Sequence, residues 1–361
     1  MIRATTNGVM KAYRVNLNKS TLRLNSARNT VLTERNFNSY AEDPSAAAES
    51  FQLRRTFMNV SSQLSVSESV ARKFDTAYGA IDSVVSMVDN AEDGSAWQAV
   101  LNAANDPTGN GRIALGTELM QLADSITQSL NCKYGNQYVF SGADGLTLPF
   151  EWKGEGADRQ LYYRDFKVDA GAADTKDLAA LDYITNHEGR YVDIGIGLTE
   201  DENDQLIESS AFNSVLQGVG VLGYGTSEVD GVTVPNNISS IIYRMGYLLS
   251  QCDPDNGKWG TDPDTGESMQ KEFLALMKQF DASSSELKKY HVDMSTKADY
   301  LKNNQSVLET TAYTLNEQIL AVEQCDLADA ITSFSWAQYC YNAALKMGNS
   351  ILSESLMDYV K

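Results

Sequence analysis

Residues 218–223 read Gly-Val-Gly-Val-Leu-Gly, which matches the G-x-G-x-x-G spacing of phosphate-binding loops. That spacing cradles a dinucleotide when a strand precedes it, a helix follows it and an acidic residue lies about 20 positions further on. Here residues 224–226, Tyr-Gly-Thr, continue the glycine-rich stretch where the helix would begin. The sequence therefore favours a tightly turning link over a dinucleotide site.

Residues 262–267 read Asp-Pro-Asp-Thr-Gly-Glu and place oxygen ligands at spacings seen in calcium loops. The stretch lacks the full twelve-residue pattern of a calcium-binding helix–loop–helix unit. We therefore expect a surface turn here, with calcium binding as the alternative.

The remaining reactive side chains do not form a catalytic pattern. His187 lies beside Glu188 in an expected loop, and His291 lies on a helical seam. The cysteines are Cys132, Cys252, Cys325 and Cys340. No two of them form a CxxC pair, so we expect small, buried, free thiols rather than a zinc site. The sequence thus predicts no catalytic residue, no cofactor and no metal site, and a protein that is not an enzyme.

The elements that position these residues are mainly helices, and the clearest is the central one. Apolar residues alternate at spacings of four and three from Leu53 to Val88, which is the pattern of a long helix packed against other helices. We expect Pro44 in its first turn and Asp43 as its N-cap. A helix of this length needs partners to bury its seam.

Similar spacing predicts helices elsewhere in the chain. They cover residues 8–33, 96–104, 113–134, 238–249 and 269–322. We expect residues 113–134 to fold back antiparallel on the central helix. After residue 322 the seam slips by one position and continues from Leu327 to Leu352, and such a slip changes the local supercoil.

The middle of the chain has a different character. From residue 137 the period changes from 3.6 to 2, and short β-prone runs follow at residues 161–168 and 190–198, with a short helix near 175–184. Residues 141–234 carry 18 acidic and six basic side chains. We expect an acidic, β-rich module inserted between the helical parts and facing solvent.

Composition limits the kinds of partner. The 361-residue chain has a net charge of −19, which makes it a poor nucleic-acid binder. Its first 40 residues are the exception, with seven Lys or Arg and one Glu. The chain has no run of 18 apolar residues and no apolar h-region at its start, so we expect neither membrane insertion nor a cleavable secretory signal.

Three stretches resemble the flagellin superfamily of bacterial flagellar axial proteins. Residues 32–44 resemble the family's N-terminal stretch Leu-Ser-Gly-Arg-Ile-Asn-Ser-Ala-Asp-Asp-Pro, with Glu34 in place of the glycine and Asn36-Phe37 in place of its basic–hydrophobic pair. Residues 138–142, Tyr-Val-Phe-Ser-Gly, resemble the family's exit into its variable domain. Residues 352–361 resemble its Ser-Leu-Leu-Asp-Tyr-Leu ending.

Together with the seams, the resemblance implies a mainly α fold. We expect a long antiparallel helical bundle or coiled coil built from both chain ends, with a small β-rich domain inserted. The expected parts are an N-terminal arm (1–43), a helical hairpin (44–140), the β-rich domain (141–234), returning helices (235–324) and a C-terminal arm (325–361).

The resemblance also implies a structural role in the flagellum. It implies type III export as an unfolded chain, location outside the cell, and assembly into a ring at the hook–filament junction. The implied partners are further copies of the chain, hook-associated protein 1, flagellin and an export chaperone. The expected assembly residues are Met10, Tyr13, Leu17, Leu24, Val31, Leu327, Ile331, Phe334, Tyr341, Leu345, Leu352, Leu356, Met357 and Tyr359.

Two other functions remain open from the sequence. The first is the filament flagellin itself, although the Asp43-Pro44 pair and the Leu-Met-Asp-Tyr ending favour the junction subunit. The second is a cell-surface hydrolase, which would need a pair of acids in a pocket, and the sequence places none.

Overall fold

The computed structural model describes residues 6–88, 95–106, 108–195, 211–261 and 268–357. Its helices are α1 (Thr6–Thr33), α2 (Pro44–Val88), α3 (Ala96–Asn105), α4 (Gly109–Leu130), α5 (Thr175–His187), α6 (Gly218–Leu222), α7 (Ile238–Ser250), α8 (Met269–Glu323) and α9 (Leu327–Met357). The predicted mainly α class is confirmed, and long helices from both ends of the chain pack together.

The strands are short and antiparallel. They are β1 (Lys133–Tyr134), β2 (Gln137–Tyr138), β3 (Phe150–Lys153), β4 (Gln160–Tyr163), β5 (Phe166–Lys167), β6 (Tyr191–Val192), β7 (Phe212–Asn213), β8 (Thr226–Val229) and β9 (Val232–Pro235). Strands β3, β4 and β5 form one sheet in that order, and β1–β2, β6–β7 and β8–β9 form separate pairs.

Two of the long helices, α2 and α9, begin at a capping carboxylate. The Asp43 carboxylate accepts hydrogen bonds from the backbone N–H groups of Ser45 and Ala46, at 3.1 and 3.0 Å, so the predicted cap of α2 is confirmed. At the other end of the chain the Asp326 carboxylate accepts from the N–H group of Ala328 at 2.8 Å and opens α9.

The Asp326 cap marks a break between α8 and α9. The sequence predicted only a slip of the apolar seam by one position, so that prediction is corrected here. Helix α8 ends at Glu323, and the three residues 324–326 leave the helical path before α9 begins. The break occurs because the backbone there pairs with another segment instead. The N–H group of Cys325 donates to the carbonyl oxygen of Glu34 at 3.1 Å, and Arg35 and Gln324 form an antiparallel bridge.

The β-prone runs fold less regularly than their sequence suggests. The predicted strand at residues 161–168 is divided into β4 and β5 by a turn in which Arg164 and Asp165 have positive φ angles of 50° and 72°. Of the predicted strand at residues 190–198, only β6 is a strand within the described residues. The helix expected near residues 175–184 is confirmed as α5.

The chain divides into two compact units. The terminal unit comprises residues 1–62 and 308–361, and the central unit comprises residues 63–307. The five predicted domains therefore stay predictions. The largest fully buried side chains all belong to the central unit: Tyr163, Phe74, Phe140, Phe150, Phe273, Phe280, Ile81, Leu119, Ile126, Leu130, Leu161 and Leu181. Among the described residues, no helix is both long and apolar enough to cross a bilayer.

Within the central unit, α4 packs most closely against α7, whereas the sequence suggested the central helix as its partner. Two glycines explain the choice. A Cβ atom added at Gly116 would lie 2.6 Å from the carbonyl oxygen of Gly246, and one added at Gly246 would lie 2.6 Å from the carbonyl oxygen of Gly116. The two backbones can approach this closely only because neither residue carries a side chain.

We predict that Gly246→Ala destabilises the protein by about 1–3 kcal/mol, because the new methyl group would overlap the backbone of α4. The measurement is the free energy of unfolding from urea titrations followed by circular dichroism. Gly79→Ala is the matched control. A Cβ atom at Gly79 in α2 meets nothing within 4 Å, so alanine should stabilise by about 0.5–1 kcal/mol. Equal effects of the two substitutions would contradict the close approach.

Candidate assembly surface

Helices α1 and α9 run antiparallel in the terminal unit and pack along their lengths. The side of α9 that is most buried consists mainly of small residues: Ala330, Ala337, Ala344 and Gly348, with Phe334 and Tyr341 between them. A Cβ atom at Gly348 would overlap the ring of Tyr13 in α1, so the glycine makes room for the tyrosine. Small residues let the two helices approach closely, at the cost of burying little apolar area.

On α1 the predicted seam residues lie on the side that packs against α9. Met10, Tyr13, Leu17, Leu24 and Val31 are all half-buried. None of them reaches the burial of the central core, because a two-helix pair covers only one side of each helix. Helix α9 therefore covers one side of the α1 seam and leaves the edges of the seam accessible.

On α9 the predicted residues separate into two groups. Phe334 and Tyr341 are half-buried, whereas Leu327, Ile331 and Leu345 are 44%, 48% and 42% exposed. These three large side chains are therefore only partly covered in the single chain. Their assignment to an interface with another chain stays a prediction.

The C-terminal end of the predicted set is only partly described. Leu352, Leu356 and Met357 lie within α9, but their side chains lie outside the described structure, and Tyr359 lies beyond the described residues.

Apolar exposure is concentrated in the terminal unit. Of the 23 exposed large hydrophobic residues in the described structure, 15 belong to it. They include Leu22 and Leu32 of α1, both 68% exposed, and Trp336 and Met347 of α9, at 68% and 64%. Exposed apolar side chains are typical of interaction surfaces when they form one contiguous patch.

Charge distinguishes the two helices. All five charged residues of α1 are basic and exposed: Lys11, Arg14, Lys19, Arg23 and Arg28. A groove of about 780 Å³ lies between the helices, with Lys19 and Arg23 on the α1 side and Trp336 and Cys340 on the α9 side. The pair thus offers an apolar surface on α9 beside a cationic surface on α1.

A polar cluster joins the end of α1, the start of α2, the end of α8 and the start of α9. We call it the Glu323 clasp, and it consists of Arg35, Asn36, Ser50, Arg54 and Glu323. Arg54 donates two hydrogen bonds to the Glu323 carboxylate at 2.6 and 2.5 Å, and the Ser50 hydroxyl donates a third. The Asn36 amide donates to the carbonyl oxygens of Val322 and Gln324 at 3.1 and 2.9 Å.

The clasp sets the charge state of its central acid. Hydrogen bonds from Arg54 hold the pKa of the Glu323 carboxyl at about 2, below its ordinary 4.5, although burial acts in the opposite direction. Ser50 and Arg35 add to the lowering. The carboxylate therefore stays ionised at neutral pH, which is the form that accepts all three hydrogen bonds.

The sequence analysis missed the clasp. Arg54 and Glu323 are 269 positions apart, and nothing in a single sequence pairs them. One departure did mark the place. Glu34, which stands where the resembled motif has glycine, has a φ of 55°, in the left-handed region that favours glycine.

The candidate catalytic and ligand-binding residues lie outside the Glu323 clasp, and those that the structure describes do not come together in one site. Residues 218–222 form the short helix α6 instead of a loop, and a Cβ atom at Gly218 would lie 2.6 Å from the ring of Phe150. His291 stacks on Tyr78 with ring centroids 4.9 Å apart, and His187 stacks on Tyr183 at 5.1 Å. The candidate calcium loop at residues 262–267 lies outside the described residues.

All four cysteines are free, as predicted. Their expected burial is wrong for one of them, since Cys340 is exposed while Cys252 is buried and Cys132 and Cys325 are intermediate. Cys340 is exposed because it lines the open groove between α1 and α9. Among the described residues no three His, Cys, Asp or Glu side chains group as metal ligands would.

Several solved structures are similar to this chain. A protein assigned as a flagellar hook-associated protein from Vibrio parahaemolyticus is 16% identical, with 78% of this chain and 99% of that chain covered and a TM-score of 0.47. Hook-associated protein 3 from Legionella pneumophila is 12% identical, with 74% and 98% covered and a TM-score of 0.44. FlgL from Bacillus cereus is 15% identical, with 74% and 99% covered and a TM-score of 0.41.

No protein-family model and no curated protein matches the sequence.

We predict that Glu323→Gln lowers the free energy of unfolding by about 2 kcal/mol at neutral pH, because the neutral amide leaves Arg54 without its charged partner. A carboxyl whose folded pKa is depressed stabilises above its unfolded pKa and loses that contribution as the pH falls. The gap between wild type and variant should therefore be constant above about pH 5 and close between 4.5 and about 2.

Urea unfolding across this pH range measures the gap. Glu309→Gln, at an exposed position of α8 in the same unit, is the control and should show no such gap. A gap that is independent of pH would contradict the assigned role of Glu323.

We predict that Glu34→Gly stabilises the protein by about 1 kcal/mol, because glycine adopts the observed φ without the steric cost that a side chain incurs. Glu49→Gly, in the exposed interior of α2, should destabilise by about 1 kcal/mol. The opposite signs are the diagnostic result in urea unfolding. A loss of stability in both variants would rule out strain at Glu34.

Proposed function

We propose that this chain is a structural subunit of the bacterial flagellum, located at the hook–filament junction, and that it assembles through α1 and α9. Its three sequence motifs resemble those of hook-associated protein 3. The proposal rests on one structural observation, the apolar surface that the α1–α9 pair leaves exposed, and on the three motifs that resemble the flagellin superfamily.

The exposed surface argues for assembly on energetic grounds. Burying a large apolar side chain stabilises by about 1.5–3 kcal/mol, and Leu327, Ile331 and Leu345 forgo much of that in a single chain. A helix that is apolar on several sides is stable only when it is surrounded. Copies of the same unit supply such surroundings, and repeated copies close into a ring when the rotation between them allows it.

The remaining parts of the proposal follow from the resemblance. In such a ring the neighbours are hook-associated protein 1 on the hook side and flagellin on the filament side. The chain acts outside the cell, after type III export with an export chaperone holding its C-terminal helix. It catalyses no reaction and takes no cofactor.

A filament flagellin with the same helices is the second candidate. The Asp43 cap followed by Pro44 favours the junction subunit, because flagellin-like chains tend to have a longer Ala-Gly run there. Copy number separates the two, since a junction subunit forms one ring and a flagellin recurs along the whole filament.

We predict that Ile331→Asp combined with Leu345→Asp abolishes assembly and leaves the single chain folded. Both side chains are exposed in the single chain, so the charges disrupt only a contact made with another subunit. The purified variant should keep the circular dichroism spectrum and melting temperature of the wild type. Bacteria that carry it should build hooks and release flagellin into the medium.

The matched control adds the same two charges to the polar face of α1, as Asn18→Asp and Asn25→Asp, both at exposed positions. The control should assemble filaments. Normal swimming and full-length filaments with the α9 variant would overturn both the junction assignment and the role of α9.

A further inference from the structure

A cavity of about 260 Å³ lies in the central unit. It is bordered by the β3–β4–β5 sheet, by the β8–β9 hairpin and by the first turns of α7. Trp152 and Tyr243 line it with aromatic rings, and Asp169 and Ser240 line it with oxygen atoms.

Two of these oxygen atoms are buried and have no partner with good hydrogen-bond geometry among the described residues, although Ser240 lies close enough to Asp169 to lower the pKa of its carboxyl. They are Oδ1 of Asp169, in the turn after β5, and Oγ of Ser240, in the first turn of α7. Ser240 as a whole is only 5% exposed. Buried acceptors in native structures normally have a donor, so each unpaired oxygen here indicates a group that the site is built to receive.

The charges around the cavity show what kind of group that is. Each cation that lines it already has its own carboxylate: Arg159 with Asp124 at 2.6 Å, Lys167 with Asp174 at 3.1 Å, and Arg244 with Glu272 at 2.6 Å. With these pairs set aside, Asp169 is the carboxylate of the described lining that has no ion pair of its own, and Lys167 offsets its charge only from a distance. A cationic ligand would complete the balance, and an anion would face Asp169 directly.

The rings provide a second reason. The guanidinium of Arg159 lies 4.8 Å from the ring centroids of both Trp152 and Tyr243. The negative faces of aromatic rings attract cations, and their breadth also suits short alkyl chains. The cavity thus combines a buried carboxylate, a hydroxyl and a ring surface that is already adapted to a positive neighbour.

We propose that this cavity binds a small organic cation with a primary ammonium group, which donates hydrogen bonds to Asp169 Oδ1 and Ser240 Oγ. Its carbon atoms lie along Trp152 and Tyr243. The site is independent of assembly, so its test does not depend on the flagellar role.

Proton binding competes with this ligand. Burial raises the pKa of the Asp169 carboxyl to about 7, and Ser240 and Lys167 oppose the rise only in part. The other charged groups that face the cavity, on every element around it, are Arg159, Lys167, Arg244 and Glu272. Asp169 is the group of this lining whose pKa is raised towards neutrality, so the affinity should follow its protonation.

The experiment is a calorimetric titration of the full chain with propylammonium chloride, with potassium chloride at equal ionic strength as the comparison. We expect saturable binding at about pH 8 and about 100-fold weaker binding at about pH 5, where Asp169 is protonated. Potassium should give no saturable signal. Equal affinity at the two pH values, or equal binding of potassium, would overturn the proposal.

Two variants locate the site. Asp169→Asn should abolish binding, and its fold is checked by circular dichroism. Ser240→Ala keeps the carboxylate, so it should still bind, but more weakly and with its pH dependence shifted to higher pH, because Ser240 lowers the pKa of Asp169. Asp281→Asn, at an exposed position of α8, should bind as the wild type does. Unchanged binding by a folded Asp169→Asn variant would place any ammonium site elsewhere and refute this assignment.

Discussion

The Glu323 carboxylate is the interaction on which the terminal unit depends. A carboxylate excluded from water is costly unless every one of its lone pairs is engaged, and here Arg54 and Ser50 provide that compensation. The backbone is tied at the same place, since the N–H group of Asn36 donates to the carbonyl oxygen of Glu323 at 2.8 Å. The ion pair and the backbone hydrogen bonds lie at the same place. Together they fix the positions of four segments: the end of α1, the start of α2, the end of α8 and the start of α9.

The position of the clasp explains why the terminal helices can pair without a large core. Helices α1 and α9 leave the clasp side by side, so the cost of bringing the two chain ends together is met there. Their contact can then be narrow, made through alanine and glycine on the α9 side. Leu327, Ile331 and Leu345 of α9 stay largely exposed.

Two places in the molecule depart from the least costly local arrangement. Glu34 has a left-handed backbone conformation although it carries a side chain, and it accepts the hydrogen bond from Cys325 in that conformation. Asp169, in the central unit, has a buried carboxyl oxygen without a hydrogen-bond partner among the described residues. Departures of this kind concentrate where a protein binds something or fixes a joint. One lies beside the clasp, and the other lies in the cavity of the central unit.

The sequence by itself determined the helices and their order. Seams such as the one from Leu53 to Val88 repeat over many turns, and the caps at Asp43 and Pro44 act within a few residues, so both are local information. The short strands were predicted less well, because two-residue strands such as β5 and β6 exist only through their partners. Only the tertiary structure decided the break between α8 and α9, the pairing of α4 with α7 and the side of α9 that faces α1. Each of these depends on contacts between distant residues, such as Glu323 with Arg54 or Gly116 with Gly246, and a single sequence does not record which distant residues meet.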